Sequence, residues 1–311
     1  MNMRKRMVVF GCMAGLALWQ PAETFGAATC GGHGTRENML VSTSWLGEHL
    51  KDKNLVVLAI GQKAEYDEAH IPGSVLLDPR DISTKPGETP LTLELPAIAQ
   101  LTAVFSKLGV SNDSRIVLYI TKDWLTPMAR VYMTLDAMGL GAHASVLDGG
   151  MPAWKSEGRA LVKEVPEVKP GNLQACPQSD VITDLNYVKN NLHQQGVRIL
   201  DARAPEVYNG TNPRAGMPGG HIQGAGNVYY NHLIDESGKL KPVGALEEQF
   251  SAAGVKKGDR LVTYCFIGQQ ASALYFVSRY LGYDVRLYDG SWEEWTRHPE
   301  LPTENPAAEK K

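Results

Sequence analysis

Cys265 stands where one pattern gives way to another. Before it runs RLVTYC (Arg260–Cys265), apolar and β-branched enough to be a strand. After it come Phe266, Ile267, Gly268, Gln269, Gln270 and Ala271, and then Leu274, Val277 and Leu281 recur at helical spacing, with Gly282 where a helix-ending glycine belongs. In an open parallel sheet the carboxyl ends of the strands face the crevice where ligands bind. A short loop there turns several backbone N–H groups inward, and the helix behind it aims its N-terminus at the same point, which makes an anion cradle. A thiol in that cradle is expected to have its thiolate favoured. Gly268 admits a backbone turn that a side chain would obstruct. The chemistry implied is nucleophilic attack by sulfur. The structural alternative is a cysteine that serves as a small buried hydrophobe.

The elements that would position this thiol occur twice. LVVLAIGQKAEYDEAHIPGSVLLD from Leu55 is echoed by VRILDARAPEVYNG from Val197 and GGHIQGAGNVYYN from Gly219. SRIVLYITKDW from Ser114 is echoed by DRLVTYCFIGQQ from Asp259, and SVLDGGMPAW from Ser145 by RLYDGSWEEW from Arg286. The blocks keep their order, so the chain reads as a duplicated domain. The first copy is placed at 39–160, a Pro-rich and charged linker at 161–178, the second copy at 179–303, and a flexible tail at 304–311. Short β-rich runs alternate with helical patterns in each copy. The expected fold is therefore α/β, with a central, mostly parallel sheet flanked by helices in each copy. The repeat also supplies an internal control. Ile120 occupies the position of Cys265 in the first copy, so packing alone does not require the thiol.

Composition narrows the remaining choices. The chain has 311 residues, is 43% hydrophobic and has a net charge of −3, enough for two cores and without the basic footprint of a nucleic-acid binder. Arg4, Lys5 and Arg6 precede an apolar run from Met7 to Trp19, and small residues follow at Gly26, Ala27 and Ala28. That is the plan of a secretory signal over 1–28, and its apolar run is short of the roughly 20 residues of a membrane span. The mature chain is expected to begin near Thr29, in a bacterial periplasm or outside the cell, with no stable membrane insertion. Of four cysteines, Cys12 leaves with the signal; Cys30 and Cys176 fall in a tail and a linker, where they could pair and are read as bystanders. No cysteine–histidine cluster suggests a metal, and no cofactor is called for.

Asp201–Arg203 (DAR), Gly220–Ala225 (GHIQGA), Cys265–Ser272 (CFIGQQAS) and Tyr288–Trp295 (YDGSWEEW) together resemble the tandem-domain rhodaneses, the thiosulfate/3-mercaptopyruvate sulfurtransferase family. The resemblance runs through both copies in the right order. It implies an inert first domain, a catalytic second domain and a cysteine persulfide intermediate. It implies that Cys265 is the nucleophile and that the backbone of Phe266, Ile267, Gly268, Gln269, Gln270 and Ala271 holds the persulfide. It also implies that Arg203 faces the mouth of the site and binds the anionic donor, with Asp201 ordering that region; a purely structural Asp201–Arg203 pair is the alternative. His70 and His221 recur in both copies, including the one without a cysteine, and are read as turn residues. Trp292 and Trp295 are read as core. The implied partners are a small-molecule sulfur donor and acceptor, with a protein thiol as a further acceptor.

This sequence departs from the family at two positions. Thiosulfate-preferring members tend to carry two cations just after the cysteine and mercaptopyruvate-preferring ones a Gly-Ser pair, whereas here Phe266 and Ile267 follow it. The second copy also holds an insertion, Asn209–Gly219, which contains Arg214 and reads as a surface loop or a flap. A phosphatase on a related cysteine-loop scaffold would need an arginine to close the loop, but Ala271 and Ser272 stand there. A non-catalytic persulfide relay or binding module is the remaining competitor of a sulfurtransferase.

Overall fold

The computed structural model describes residues 31–122 and 125–309, so the expected signal segment lies outside the described residues. The first copy contributes strands β1 (Leu40–Val41), β2 (Leu55–Ile60), β3 (Val75–Leu77), β4 (Arg115–Ile120) and β5 (Ala144–Leu147). The second contributes β6 (Ile182–Thr183), β7 (Val197–Asp201), β8 (His221–Ile222), β9 (Gly226–Asn227), β10 (Arg260–Tyr264), β11 (Asp284–Tyr288) and β12 (Thr303–Glu304). The two main sheets run β1-β5-β4-β2-β3 and β6-β11-β10-β7-β9, parallel throughout, so the duplication read from sequence is a duplication of topology. β2 and β4 are buried along most of their length and read as continuous apolar runs, as strands covered on both faces must.

Two helices join the copies, α1 (Thr126–Ala137) and α2 (Ala271–Tyr280). Each follows the central strand of its own sheet and is buried almost all round, as a helix enclosed between two layers has to be. They pack on each other, with Tyr132 edge-on to Phe276 at 4.8 Å between ring centroids, and one continuous apolar core includes residues of both copies. α2 ends as the spacing predicts: Gly282 adopts φ +85° and Tyr283 N–H returns to Ser278 O.

A polar knot closes the far end of this interface. Tyr275 donates to Asp136 (2.6 Å), Arg279 Nε donates to Tyr275 Oη (3.1 Å), and His33 bridges Asp136 (2.8 Å) and Asp180 (3.1 Å). The hydrogen bond to Asp136 raises the His33 pKa above its ordinary 6.5, against burial and the nearby Arg279 charge. A histidine held more basic in the folded chain stabilises it fully below about pH 6.5, and that stabilisation fades as pH rises through the higher folded value. The melting temperature should therefore fall as pH rises from 6 to 8, and His33→Gln should flatten that slope. Parallel pH–melting curves for the two proteins would contradict this.

Two local expectations are corrected. The tail was expected to be loose, yet β12 pairs antiparallel with β8, Glu304 accepts from His221 (3.2 Å), and Ala307 N–H bonds Asn209 O. Backbone pairing pins it where composition alone suggested freedom. Cys176, read as a bystander, is disulfide-bonded. Whether Cys30 is its partner lies outside the described residues. The linker has no helix or strand, but it is strapped to the first copy by Gly171 N–H to Ser106 O, Cys176 N–H to Met138 O and the buried side chain of Leu173.

Candidate active site

Cys265 follows the last residue of β10 and is 1% exposed, at the carboxyl edge of the second sheet and just ahead of α2. The loop between them turns as its glycine requires, with Gly268 at φ +79°. A side chain at Gly268 would put Cβ 2.3 Å from Asp289 Oδ1, so only glycine fits. The backbone N–H groups of Ile267, Gln270 and Ala271 bond the Cys265 sulfur, which is the inward-facing cradle expected from the loop. The loop carbonyls are held as well: Trp292 N–H bonds Cys265 O and Glu293 N–H bonds Phe266 O, both at 3.0 Å.

The thiol itself departs from expectation. Burial is the strongest influence and pushes its pKa up; the three N–H groups pull it down without cancelling that push, and the Asp201 charge adds to it. The cradle favours an anion on sulfur, but a fully buried Sγ loses more hydration than three amides return.

Arg203 also departs. It does not face the mouth. It is 1% exposed, and its Nε and Nη2 fork onto both Asp201 oxygens at 2.5–3.0 Å while Nη2 reaches Gly220 O at 2.8 Å. Rings of Trp292, Phe266 and Tyr264 surround the guanidinium at 4.7, 5.1 and 5.7 Å. Burial alone would lower the Arg203 pKa, but the Asp201 charge and hydrogen bonds outweigh it, so the arginine stays charged. The Asp201–Arg203 pair is thus present, with the Nη1 of Arg203 buried and without a hydrogen-bond partner. Asp201 lies wholly buried beneath it.

A different cation reaches the rim. The guanidinium groups of both Arg203 and Arg214 lie 5.1 Å from the Phe266 ring. Arg214 is exposed and belongs to the insertion, whose Pro218 O accepts from Trp292 Nε1 at 3.0 Å and whose Met217 packs against the apolar cluster that holds Trp292. The insertion thus lies against the wall of the site. The histidines hold turns: His221 stacks on Tyr208 and bonds its carbonyl, and His70 does the same with Tyr66. Trp292 and Trp295 are both fully buried.

The first copy contributes more than its sequence suggests. Arg130 of α1 forks onto Asp289 at 2.6 and 3.1 Å, and its Nη2 also bonds Leu93 O. Leu95 N–H bonds the same Asp289, Gln269 Nε2 reaches Leu93 O at 3.4 Å, and Leu93 sits in the left-handed region at φ +54°. A strap of the first copy is thereby fastened to the cysteine loop of the second. Arg130 and Leu93 carry no sequence signal for this; Asp289 lies within the YDGSWEEW block, whose spacing does not mark it as an ion-pair partner. The first copy keeps a cleft of about 390 Å³ at the matching sheet edge, lined by Gly61, Glu65, Ile120, Thr121, Lys122 and Pro127 among others, with no thiol in it.

The rhodanese-like domain model matches residues 42–157 and 184–298. The chain belongs to the rhodanese family. It is 31% identical over 269 residues to a thiosulfate sulfurtransferase of Pseudomonas aeruginosa, covering 86% of this chain and 97% of the relative. It is 32% identical to the sulfur carrier protein TtuD of Thermus thermophilus, over 83% of this chain and 93% of that one. The crystal structure of the 3-mercaptopyruvate sulfotransferase SseA of Escherichia coli superposes with a TM-score of 0.72 at 27% identity, covering 82% of this chain and 99% of that one. The rhodanese architecture of two tandem domains, each a parallel sheet of five strands flanked by helices, is therefore shared along nearly the whole described chain.

Proposed function

We propose that this rhodanese is an exported sulfurtransferase that moves a sulfane sulfur from thiosulfate to a thiophilic acceptor through a persulfide on Cys265. The observation that carries the reading is the sulfur of Cys265, set on three inward backbone N–H groups in the one copy that has a cysteine at that strand end. The Cys265 thiolate attacks the outer sulfur of thiosulfate, the S–S bond breaks, and sulfite leaves with the electron pair. The enzyme then holds Cys–S–S⁻, whose terminal anion the cradle suits. Cyanide or a thiolate attacks that outer sulfur and restores the thiolate, so the cycle is ping-pong.

Mercaptopyruvate is the alternative donor and a protein-to-protein persulfide relay the second reading. Both draw on the apolar pair Phe266–Ile267, which leaves Arg214 as the cation beside the mouth, and on the mixed activities named for the relatives. Export is supported by the basic–apolar–small plan of residues 1–28 and by the disulfide at Cys176, since disulfides persist in oxidising compartments.

One measurement addresses all of this: intact mass of the protein taken from its native compartment, before and after exposure to each donor. The expected result is a chain beginning near Thr29 that gains one sulfur from thiosulfate, removable by cyanide. A chain that retains Met1 would refute export. No gain from either donor would refute small-molecule sulfur transfer and favour the relay.

A further inference from the structure

Ser291 is fully buried and adopts φ +52°, a left-handed conformation that side chains rarely take. Its counterpart in the first copy, counted within the matching Asp-Gly blocks, is Gly150 at φ +53°. The left-handed φ at this position thus occurs in both copies, although the glycine before it differs, Gly149 at φ +75° against Gly290 at φ −62°. The copy with isoleucine at the strand end uses glycine, which accepts that φ freely; the copy with cysteine uses serine, which does not. A side chain retained against backbone strain calls for something that the side chain does.

The hydroxyl of Ser291 makes three hydrogen bonds. It accepts from Cys265 N–H at 3.2 Å and Gly268 N–H at 3.0 Å, and it donates to Tyr288 O at 2.8 Å. That is the full capacity of a hydroxyl, two lone pairs and one proton. The bonds tie together the residue that carries the thiol, the glycine at the bend of the loop, and the end of the neighbouring strand β11. Both N–H groups are thereby turned onto Ser291, while those of Ile267, Gln270 and Ala271 face the sulfur.

We propose that Ser291 is a positioning residue of the sulfur cradle: its hydroxyl fastens the Cys265 loop in the conformation that aims three backbone N–H groups at the sulfur, and the protein keeps a strained serine there for that purpose. The proposal rests on Cys265 being the sulfur-carrying nucleophile, and it assigns the second copy's cradle a part that the first copy's glycine cannot play.

The test compares Ser291→Gly and Ser291→Ala with the parent chain in three measurements: melting temperature, steady-state kinetics with thiosulfate, and the pH dependence of Cys265 alkylation by iodoacetamide. Glycine removes the hydroxyl and the strain together; alanine removes the hydroxyl and keeps the strain. Asp201 and Arg203, the charged groups that act on Cys265, are unchanged in both. Ser291→Gly is expected to melt at or above the parent temperature yet lose about tenfold or more in kcat/KM, chiefly in kcat, with its alkylation profile moved to higher pH. Ser291→Ala is expected to show the same kinetic loss and the same profile shift, with a lower melting temperature. An unchanged alkylation profile in Ser291→Gly would overturn the proposal, whether or not the protein also melts lower. The alkylation profile does not depend on sulfur transfer. A parent protein that takes up no sulfur therefore defeats the functional reading, whereas an unmoved profile defeats this one.

Discussion

Cys265→Ser folds, melts within a few degrees of the parent and takes up no sulfur. Oxygen is smaller than sulfur, and the site loses little packing when one replaces the other. The loop keeps its ties from Trp292 and Glu293 and from the Arg130–Asp289 fork, none of which involves the thiol. What disappears is the nucleophile, because a serine hydroxyl with no base beside it does not attack a sulfane sulfur at a useful rate. The expected loss in thiosulfate turnover is on the order of a thousandfold or more, the scale seen when a covalent nucleophile is removed. In the parent protein, sulfur uptake should accelerate as pH rises above neutrality, because burial holds the thiol above its ordinary pKa and thiolate accumulates only at higher pH. Intact mass after thiosulfate treatment reads the first result, and initial rates from pH 6 to 9 read the second. A cyanide-removable sulfur on the serine variant would place the nucleophile elsewhere.

Arg203→Ala should unfold the second domain far more readily and should do so without acting as a donor-binding mutation. Removing the guanidinium leaves Asp201 at zero exposure without its ion-pair partner and takes a donor from Gly220 O. Stranding one member of a buried pair costs about 3–5 kcal/mol, and the packing of three rings around the guanidinium is lost with it. Asp201→Asn together with Arg203→Leu should recover part of that loss, since no uncompensated charge then remains. Denaturant titration of the single and double variants measures this. If Arg203→Ala kept parental stability and only raised KM for thiosulfate, the arginine would belong to the donor after all.

The contrast between Arg203 and Arg214 shows where local reading stops. Both are arginines in the same segment of the second copy, and the DAR motif drew attention to the first. Folding buries Arg203 under three rings and leaves Arg214 exposed beside Phe266, a difference of side-chain surroundings that spacing does not express. The thiol is a similar case. Strand, loop and helix N-terminus were legible around Cys265, and so was the cradle. The net direction of its pKa depends on how completely water is excluded, and that is a property of the packed whole.

Periodicity, turn glycines and the internal repeat were enough to establish two α/β copies, the strand end that bears the thiol, and the copy with Ile120 in its place. These are consequences of short-range chain chemistry, repeated twice with one informative change. The pairing of Arg130 with Asp289 across 159 positions and the Leu93 strap were decided only when the two copies packed together, and the strained serine behind the loop only when the second copy folded. Such contacts arise from which surfaces meet and which charges lose their water on meeting, and neither is written in the spacing of residues along the chain.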